Sequence, residues 1–204
     1  MRYARLLLAP LLLAAMAVPA LAEKLPLGEI SRYINSLTTA EADFRQINAD
    51  GSTATGKVYI RRPGRMRFEY APPERTLVLA SAGQVAVFDG KSNQPPEQYP
   101  LSKTPLNLIL ATDVDLSRAR MVVGHDEVDG LTVVTAQDPD HPELGTLQMA
   151  FSAGPVTLRQ WMVTDEAGGQ TTVILGPLKT GESYTTELFS IQVEAEKLKR
   201  RKTK

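Results

Sequence analysis

The chain has 204 residues, of which 43% are hydrophobic and 23% are charged, a balance that excludes a disordered or collagen-like protein and favours one globular domain. The 23 basic and 23 acidic residues cancel, which excludes the strong positive charge typical of nucleic-acid-binding proteins. The charges are nevertheless segregated, since the last eight residues carry six basic groups and residues 23–196 have a net charge of −8.

The first 22 residues are typical of a cleavable secretory signal peptide. Arg2 and Arg5 precede an apolar run over residues 6–18, and residues 20–22 (Ala-Leu-Ala) match a small-residue cleavage site. No later stretch approaches the 18 apolar residues of a membrane span, so we expect a soluble mature chain that begins near Glu23. Because the chain has no cysteine, it forms no disulfide and lacks the acylated first residue of a bacterial lipoprotein.

The first predicted element of the mature chain is a helix over residues 25–37. Ile30, Ile34 and Leu37 recur at intervals of four and three residues and form an apolar stripe. Beyond this helix the apolar period changes to two, with turn residues at hairpin-like intervals. The alternation predicts strands at residues 42–47, 57–61, 65–70, 76–80, 85–88, 131–136, 147–152, 156–163 and 171–175. Such a series of short strands indicates an antiparallel meander that closes toward a barrel.

One short helix is predicted inside this β-rich region. Residues 103–110 combine Thr104 as a cap, Pro105 at the first helical position and a leucine-rich turn. An isolated apolar helix at this point must lie across the sheet or cover one end of a barrel.

The C-terminal segment, residues 194–204, is the most basic part of the chain. It fits a solvated basic tail with a frayed helical turn. It also fits a contact with anionic lipid headgroups or with an acidic partner. The sequence leaves these two interpretations open.

No combination of residues predicts catalysis. His125 is typical of a solvated loop histidine, and Asp113 with Asp115 fits a surface turn. His141 lies in residues 138–143 (Asp-Pro-Asp-His-Pro-Glu), which form either an exposed loop or a weak divalent-cation site without the spacing of a zinc site. The chain has no cysteine, phosphate-binding loop or nucleophile elbow. We therefore predict a protein that is not an enzyme and that requires no metal or cofactor.

Several strands are apolar on consecutive residues instead of alternate ones. Residues 77–79, 85–88 and 161–163 are examples. Either both faces of the sheet are covered by other elements, or the interior is larger than its own side chains fill. In the second case, a lining of Leu, Ile, Val and Met suits flexible acyl chains better than flat rings.

Several motifs occur together in a recognisable order. They are Phe44-Arg45-Gln46, residues 56–70 followed by Pro72-Pro73, Val85-Ala86-Val87-Phe88-Asp89, Thr104-Pro105-Leu106, and residues 138–151. With these motifs, most of residues 25–193 resembles the outer-membrane lipoprotein carrier family, LolA. The Arg-Pro-Gly-Arg-x-Arg block at residues 62–67 is fairly specific to that family.

The resemblance implies a mainly β fold, an incomplete, half-open antiparallel β-barrel with an α-helical lid over a hydrophobic cavity, located in the periplasm. It implies a monomeric carrier that receives triacylated lipoproteins from an inner-membrane ABC exporter and passes them to an outer-membrane acceptor. Two alternatives remain open: a carrier of another envelope lipid or glycolipid, and a sensor or adaptor that recognises acylated proteins. The chain then divides into a signal peptide (1–22), a lipoprotein-carrier domain (23–193) and a basic tail (194–204).

The resemblance also implies roles for individual residues. Arg62 matches the family's arginine before proline, which bonds to the lid helices and holds the empty state closed. Met66 stands where the family usually has a phenylalanine, and Phe68 stands where an aromatic residue is expected. The candidate residues of the acyl-chain cavity are Phe44, Val58, Ile60, Met66, Phe68, Leu77, Leu79, Leu106, Leu108, Ile109, Leu110, Met149 and Trp161.

Overall fold

The computed structural model describes residues 24–92, 94–118 and 120–202, so the predicted signal peptide lies outside the described residues. The helices are α1 (Leu27–Ser36), α2 (Leu106–Leu110) and α3 (Ile191–Lys202). The strands are β1 (Thr39–Ile47), β2 (Thr53–Arg61), β3 (Arg65–Tyr70), β4 (Leu77–Ser81), β5 (Gln84–Phe88), β6 (Glu97–Pro100), β7 (Val122–Val128), β8 (Leu131–Gln137), β9 (Thr146–Ser152), β10 (Thr157–Thr164), β11 (Gln170–Leu175) and β12 (Lys179–Thr180). Short 3-10 helices occupy Leu101–Lys103, Pro142–Leu144 and Thr186–Phe189.

The strands form one antiparallel sheet that is built from two meanders. The first meander runs from β1 to β6 and the second from β7 to β11, and the pairing of β1 with β11 joins them. β6 and β7 lie at opposite ends of the strand order, and no pairing between them closes the sheet in the described ranges. The prediction of a mainly β, incomplete antiparallel barrel is therefore confirmed, although the chain is two meanders and not one.

Aromatic contacts show how strongly the sheet curls. Phe68 on β3 and Trp161 on β10 have ring centroids 6.1 Å apart. Four strand-to-strand steps separate β3 from β10, which in a flat sheet would place them about 19 Å apart. The two rings meet because the sheet bends around them, with Phe44 of β1 between the meanders and 5.4 Å from Phe68. We call this enclosed side of the sheet the inner face.

The inner face is covered by α1 and α2. The predicted helix over residues 25–37 is confirmed as α1, and its Ile30 and Ile34 are buried. Ile109 and Leu110 of α2 are also buried, and all four side chains belong to the same apolar cluster as the inner-face residues. The apolar stripe read from the sequence is thus the surface that α1 buries against the sheet.

The start of α2 differs from the sequence-based prediction. The helix begins at Leu106, and the Thr104 hydroxyl donates to the carbonyl of Leu101 at 2.8 Å without capping a helical N–H. Pro105 stands just before the helix and not at its first position. The preceding 3-10 turn provides the acceptor for the threonine, a local contact that the Thr-Pro pattern does not reveal.

The predicted tail is also different, because residues 191–202 form the complete helix α3. Its Ile191, Ala195 and Leu198 pack on an apolar cluster of Leu79, Ala86 and Phe88, on the side of the sheet opposite the inner face, which we call the outer face. The buried Arg67 donates to the carbonyl of Leu188 at 2.9 Å and to Glu194 Oε1 at 3.3 Å. The expectation of only a frayed turn was therefore wrong for residues up to 202, and Thr203 and Lys204 lie outside the described residues.

Candidate functional site

Hydrogen bonds join α1 to the segment that follows α2. The backbone N–H of Leu116 donates to Ser31 Oγ at 2.9 Å. The Asn35 side chain accepts from the N–H of Val114 at 3.0 Å and donates to the carbonyl of the same residue at 2.9 Å. We call α1, α2 and residues 111–116 the lid, since these contacts make them one unit over the inner face.

Arg62, in the turn between β2 and β3, ties the lid to the sheet. Its guanidinium donates to the carbonyl of Ile34, to Asn35 Oδ1 at 3.3 Å and to the carbonyl of Ala111 at 2.6 Å. One side chain therefore contacts both the end of α1 and the end of α2. The role that the resemblance implies for Arg62, holding the empty state closed, stays a prediction.

Burial of the charged Arg62 guanidinium carries a desolvation cost. Arg62 is only 9% exposed, and desolvation lowers the pKa of its guanidinium from the ordinary value while the Asp113 carboxylate partly opposes the shift. An arginine remains protonated at neutral pH despite such a shift. Its buried Nε has no hydrogen-bond partner among the described residues, which costs stability when the lid is closed.

A cavity of about 590 Å³ lies beside the lid, where the segment of residues 103–106 that leads into α2 faces Val78 of the first meander and Val163 of the second. Its walls are mainly apolar and its rim carries Lys103 on one side and Asp165 with Glu166 on another. The lining residues are Val78, Val85, Tyr99, Lys103, Thr104, Pro105, Leu106, Leu144, Val163, Asp165 and Glu166. An apolar pocket with a few polar groups at its edge is the usual form of a lipophilic-ligand site.

Most of the predicted cavity residues lie in the core beside this cavity and not on its wall. Leu106 lines the cavity, and Leu108 packs partly buried against the core. The core itself contains Phe44, Val58, Ile60, Met66, Phe68, Ile109, Leu110, Met149 and Trp161. With the lid closed, these side chains fill the inner face themselves.

Leu77 and Leu79 were assigned to the wrong face. Leu79 is fully buried on the outer face beneath α3, and Leu77 packs on the same cluster. Val78, between them, lines the cavity instead. The structure fixes this phase, because Val78 pairs with Phe68 across the ladder and paired residues share a face.

The two histidines take part in local contacts. His125 lies on β7, not in a loop as predicted, and its Nε2 is 2.9 Å from the carbonyl of Leu25. His141 Nδ1 lies 3.1 Å from Glu143 Oε1 on the exposed surface. Asp138 accepts from the backbone N–H groups of Asp140 and His141 at 2.9 and 3.2 Å, so its carboxylate shapes the loop between β8 and β9.

Within residues 24–92, 94–118 and 120–202, each helix is too short or too polar to cross a membrane.

The chain is similar to several known proteins. The outer-membrane lipoprotein carrier protein of Methylococcus capsulatus is 25% identical over 182 residues, covering 85% of this chain and 86% of that protein. The one from Azotobacter vinelandii is 24% identical over 195 residues, covering 90% and 93%. A solved structure of a putative outer membrane lipoprotein-sorting protein domain from Vibrio parahaemolyticus superposes with a TM-score of 0.48 at 10% identity, covering 85% of this chain and 99% of that one. The family model described as "Outer membrane lipoprotein carrier protein LolA" matches residues 35–192, and the chain therefore belongs to the LolA family.

Proposed function

We propose that this protein is a periplasmic carrier that holds the acyl chains of triacylated lipoproteins beneath its lid. In this role it receives cargo from an inner-membrane ABC exporter and delivers it to an outer-membrane acceptor. The observation that carries the proposal is an apolar inner face beneath a cover that a single arginine side chain bonds at both helix ends. Carriage requires no catalytic step, and we assign none.

The energetics of acyl transfer explain why such a carrier needs a removable cover. Three acyl chains that each bury about 15 methylenes lose on the order of 35 kcal/mol on leaving a bilayer for water. Spontaneous release is therefore too slow, and a machine must hand the chains over without exposing them. Since noncovalent affinities reach only about 18–21 kcal/mol, the carrier covers the chains incompletely.

The size of the cavity supports an opening of the lid on loading. A volume of about 590 Å³ falls within the range of about 300–1,000 Å³ that holds one drug-sized ligand. Three long acyl chains exceed that space, so they must displace the lid and contact the inner-face residues that the lid now covers. Loading then breaks the Arg62 contacts, and this loss lowers the net affinity enough for cargo to be released.

A transfer experiment tests the proposal. The mature chain is incubated with inner-membrane vesicles, ATP and the exporter, and soluble one-to-one complexes with a lipoprotein are isolated. We expect complexes with triacylated cargo and none with a cargo whose acylated cysteine is replaced by serine. Equal recovery of both cargoes, or of neither with an active exporter, contradicts the proposal; mass spectrometry of co-purified lipids then tests for another envelope lipid.

A further inference from the structure

The helix α3 separates an apolar side from a strongly basic half. Its apolar residues pack against the outer face of the sheet. The carboxylate of Glu194 accepts hydrogen bonds from Arg67 at 3.3 Å and from Lys197 at 2.7 Å. From Lys197 to the C-terminus the chain has six basic residues and no acidic one. Lys197, Lys199 and Arg200 are all exposed.

The C-terminal half of α3 carries more positive charge than the stability of the helix requires. A helix C-terminus attracts cations only within its last turn. Like charges three or four residues apart, such as Lys197 and Arg200, repel each other and weaken an isolated helix. The stability of the helix alone therefore does not explain this accumulation of positive charge.

The strand registers place this basic half at a defined end of the sheet. Ile47 pairs with Thr172, next to the hairpin that carries Asp165 and Glu166. Following the antiparallel registers from β1 through β2 and β3, the pair of Leu77 with Phe88 lies at the same end. Leu198 borders a small pocket that contains both Leu77 and Phe88. The basic half of α3 is thus at the same end of the sheet as the acidic part of the cavity rim.

We propose that α3 docks the protein on an anionic lipid surface with this end of the sheet nearest the bilayer. The apolar side of the helix stays on the outer face, so docking is electrostatic and does not insert the helix. The net charge of −8 over residues 23–196 is repelled by the same surface, which orients the molecule with α3 foremost. Asp165 and Glu166 oppose this approach, but the six basic residues outnumber them.

A lipid surface fits these residues better than an acidic protein does. On a helix with 100° between successive residues, Lys197 and Arg200 are about 60° apart and Lys199 is about 100° from Arg200, so the three basic side chains spread over about 160° of the helix surface. Such a diffuse distribution suits a plane of mobile headgroups, whereas a protein partner requires matched positions. Clusters of about four to eight basic residues on an amphipathic helix are typical of anionic-lipid binding.

Co-sedimentation with vesicles tests the docking. Cargo-free mature protein is mixed with vesicles of phosphatidylcholine alone or of equal parts phosphatidylcholine and phosphatidylglycerol. We expect binding only to the anionic vesicles and its loss at high salt. The triple variant Lys199→Gln, Arg200→Gln, Arg201→Gln should bind about a hundredfold more weakly, since each charge contributes about fivefold. Glutamine keeps a high helix propensity, and circular dichroism verifies the fold.

A matched control removes the same charge elsewhere. Arg32, Arg118 and Arg159 are exposed and lie outside α3, so the triple variant with glutamine at these positions should bind the anionic vesicles as the wild type does. Equal weakening of both triple variants, or no binding by the wild type, overturns the proposal. Retention of the chain by polyglutamate without vesicle binding assigns α3 to an acidic protein and overturns it as well.

The orientation on the vesicle is tested separately with fluorescent probes. Because the chain has no cysteine, a single introduced cysteine can be labelled at a chosen position. An environment-sensitive probe on Ala167→Cys, in the hairpin with Asp165, should change its emission on anionic vesicles. The same probe on Ser183→Cys, after β12 at the other end of the sheet, should not. A change at residue 183 alone overturns the orientation. Vesicle binding does not rest on the proposed function, so failed cargo transfer with intact vesicle binding contradicts only the carrier role.

Discussion

Replacement of Arg62 by methionine is the most direct test of the lid. Arg62→Met keeps an unbranched side chain but removes the donors to the carbonyls of Ile34 and Ala111. Hydrogen bonds to a charged group contribute about 1.5–3 kcal/mol each, so the two contribute about 3–6 kcal/mol. Loss of the unpartnered buried Nε offsets about 1–3 kcal/mol of this. With both contributions near the middle of their ranges, we expect the free energy of lid opening to fall by about 2–3 kcal/mol.

Native-state hydrogen exchange measures this opening at individual amides. The N–H groups of Val114 and Leu116 donate across the lid to Asn35 and Ser31, so they exchange when the lid opens. The expected change corresponds to an acceleration of about 30- to 140-fold at these two amides. Amides in the pairing of β1 with β2 serve as an internal reference and should keep their rates. Arg62→Lys should give an intermediate effect because one ammonium group lacks the guanidinium's spread of donors.

Two results would refute this reasoning. Unchanged exchange at Val114 and Leu116 would mean that Arg62 does not hold the lid closed. Equal acceleration in β1 and β2 would mean that the substitution lowers the stability of the whole domain and not that of the lid alone.

Three further predictions address the cavity, the outer face and the response to pH. Val163→Trp, which fills part of the cavity, should weaken binding of a fluorescent fatty-acyl probe, whereas Val123→Trp on the exposed part of β7 should not; equal effects would exclude this cavity as the binding site. Leu79→Ala should lower the free energy of unfolding in urea by about 2–5 kcal/mol and leave probe affinity unchanged, since Leu79 lies beneath α3; lost probe binding in a folded variant would place Leu79 at the cavity after all. Burial raises the pKa of Tyr70 to about 12, so its contribution to stability is complete below the unfolded-state pKa of 10.0 and is lost as pH rises toward about 12. Unfolding measured across this pH range should therefore show a shallower alkaline loss of stability in Tyr70→Phe, and an unchanged slope would contradict the assignment.

The strands could be predicted from the sequence more reliably than the direction of their side chains. In β3, Met66 and Phe68 alternate with charged residues, so the inner face follows directly from the pattern. In β4, residues 77–79 are all apolar, and either phase is compatible with the sequence. Only the presence of α3 on the outer face explains why both sides of this strand are apolar.

The helix α3 and the pairing of β1 with β11 depend on contacts between distant residues. The apolar pattern of α3 is weak, because charged residues surround Ile191, Ala195 and Leu198. The residues that they contact on β4 and β5 are more than 100 residues earlier in the chain. Similarly, Phe44 pairs with Leu175, which no local pattern indicates. Arg62 was located through its motif, whereas its partners at Ile34 and Ala111 required the three-dimensional structure.

The central position of β1 has a consequence for the order in which the chain folds. β1 pairs with β2 along nine residues that are adjacent in sequence, but its other edge pairs with β11 and β12, whose first residue is Gln170. A chain that emerges from its N-terminus can therefore complete the first meander while this edge of β1 still exposes unpaired N–H and C=O groups. Such an edge is a site for pairing with other chains, and late pairing over a long sequence separation is slow. Protection of the β1 edge during folding thus depends on the arrival of the last strands of the sheet.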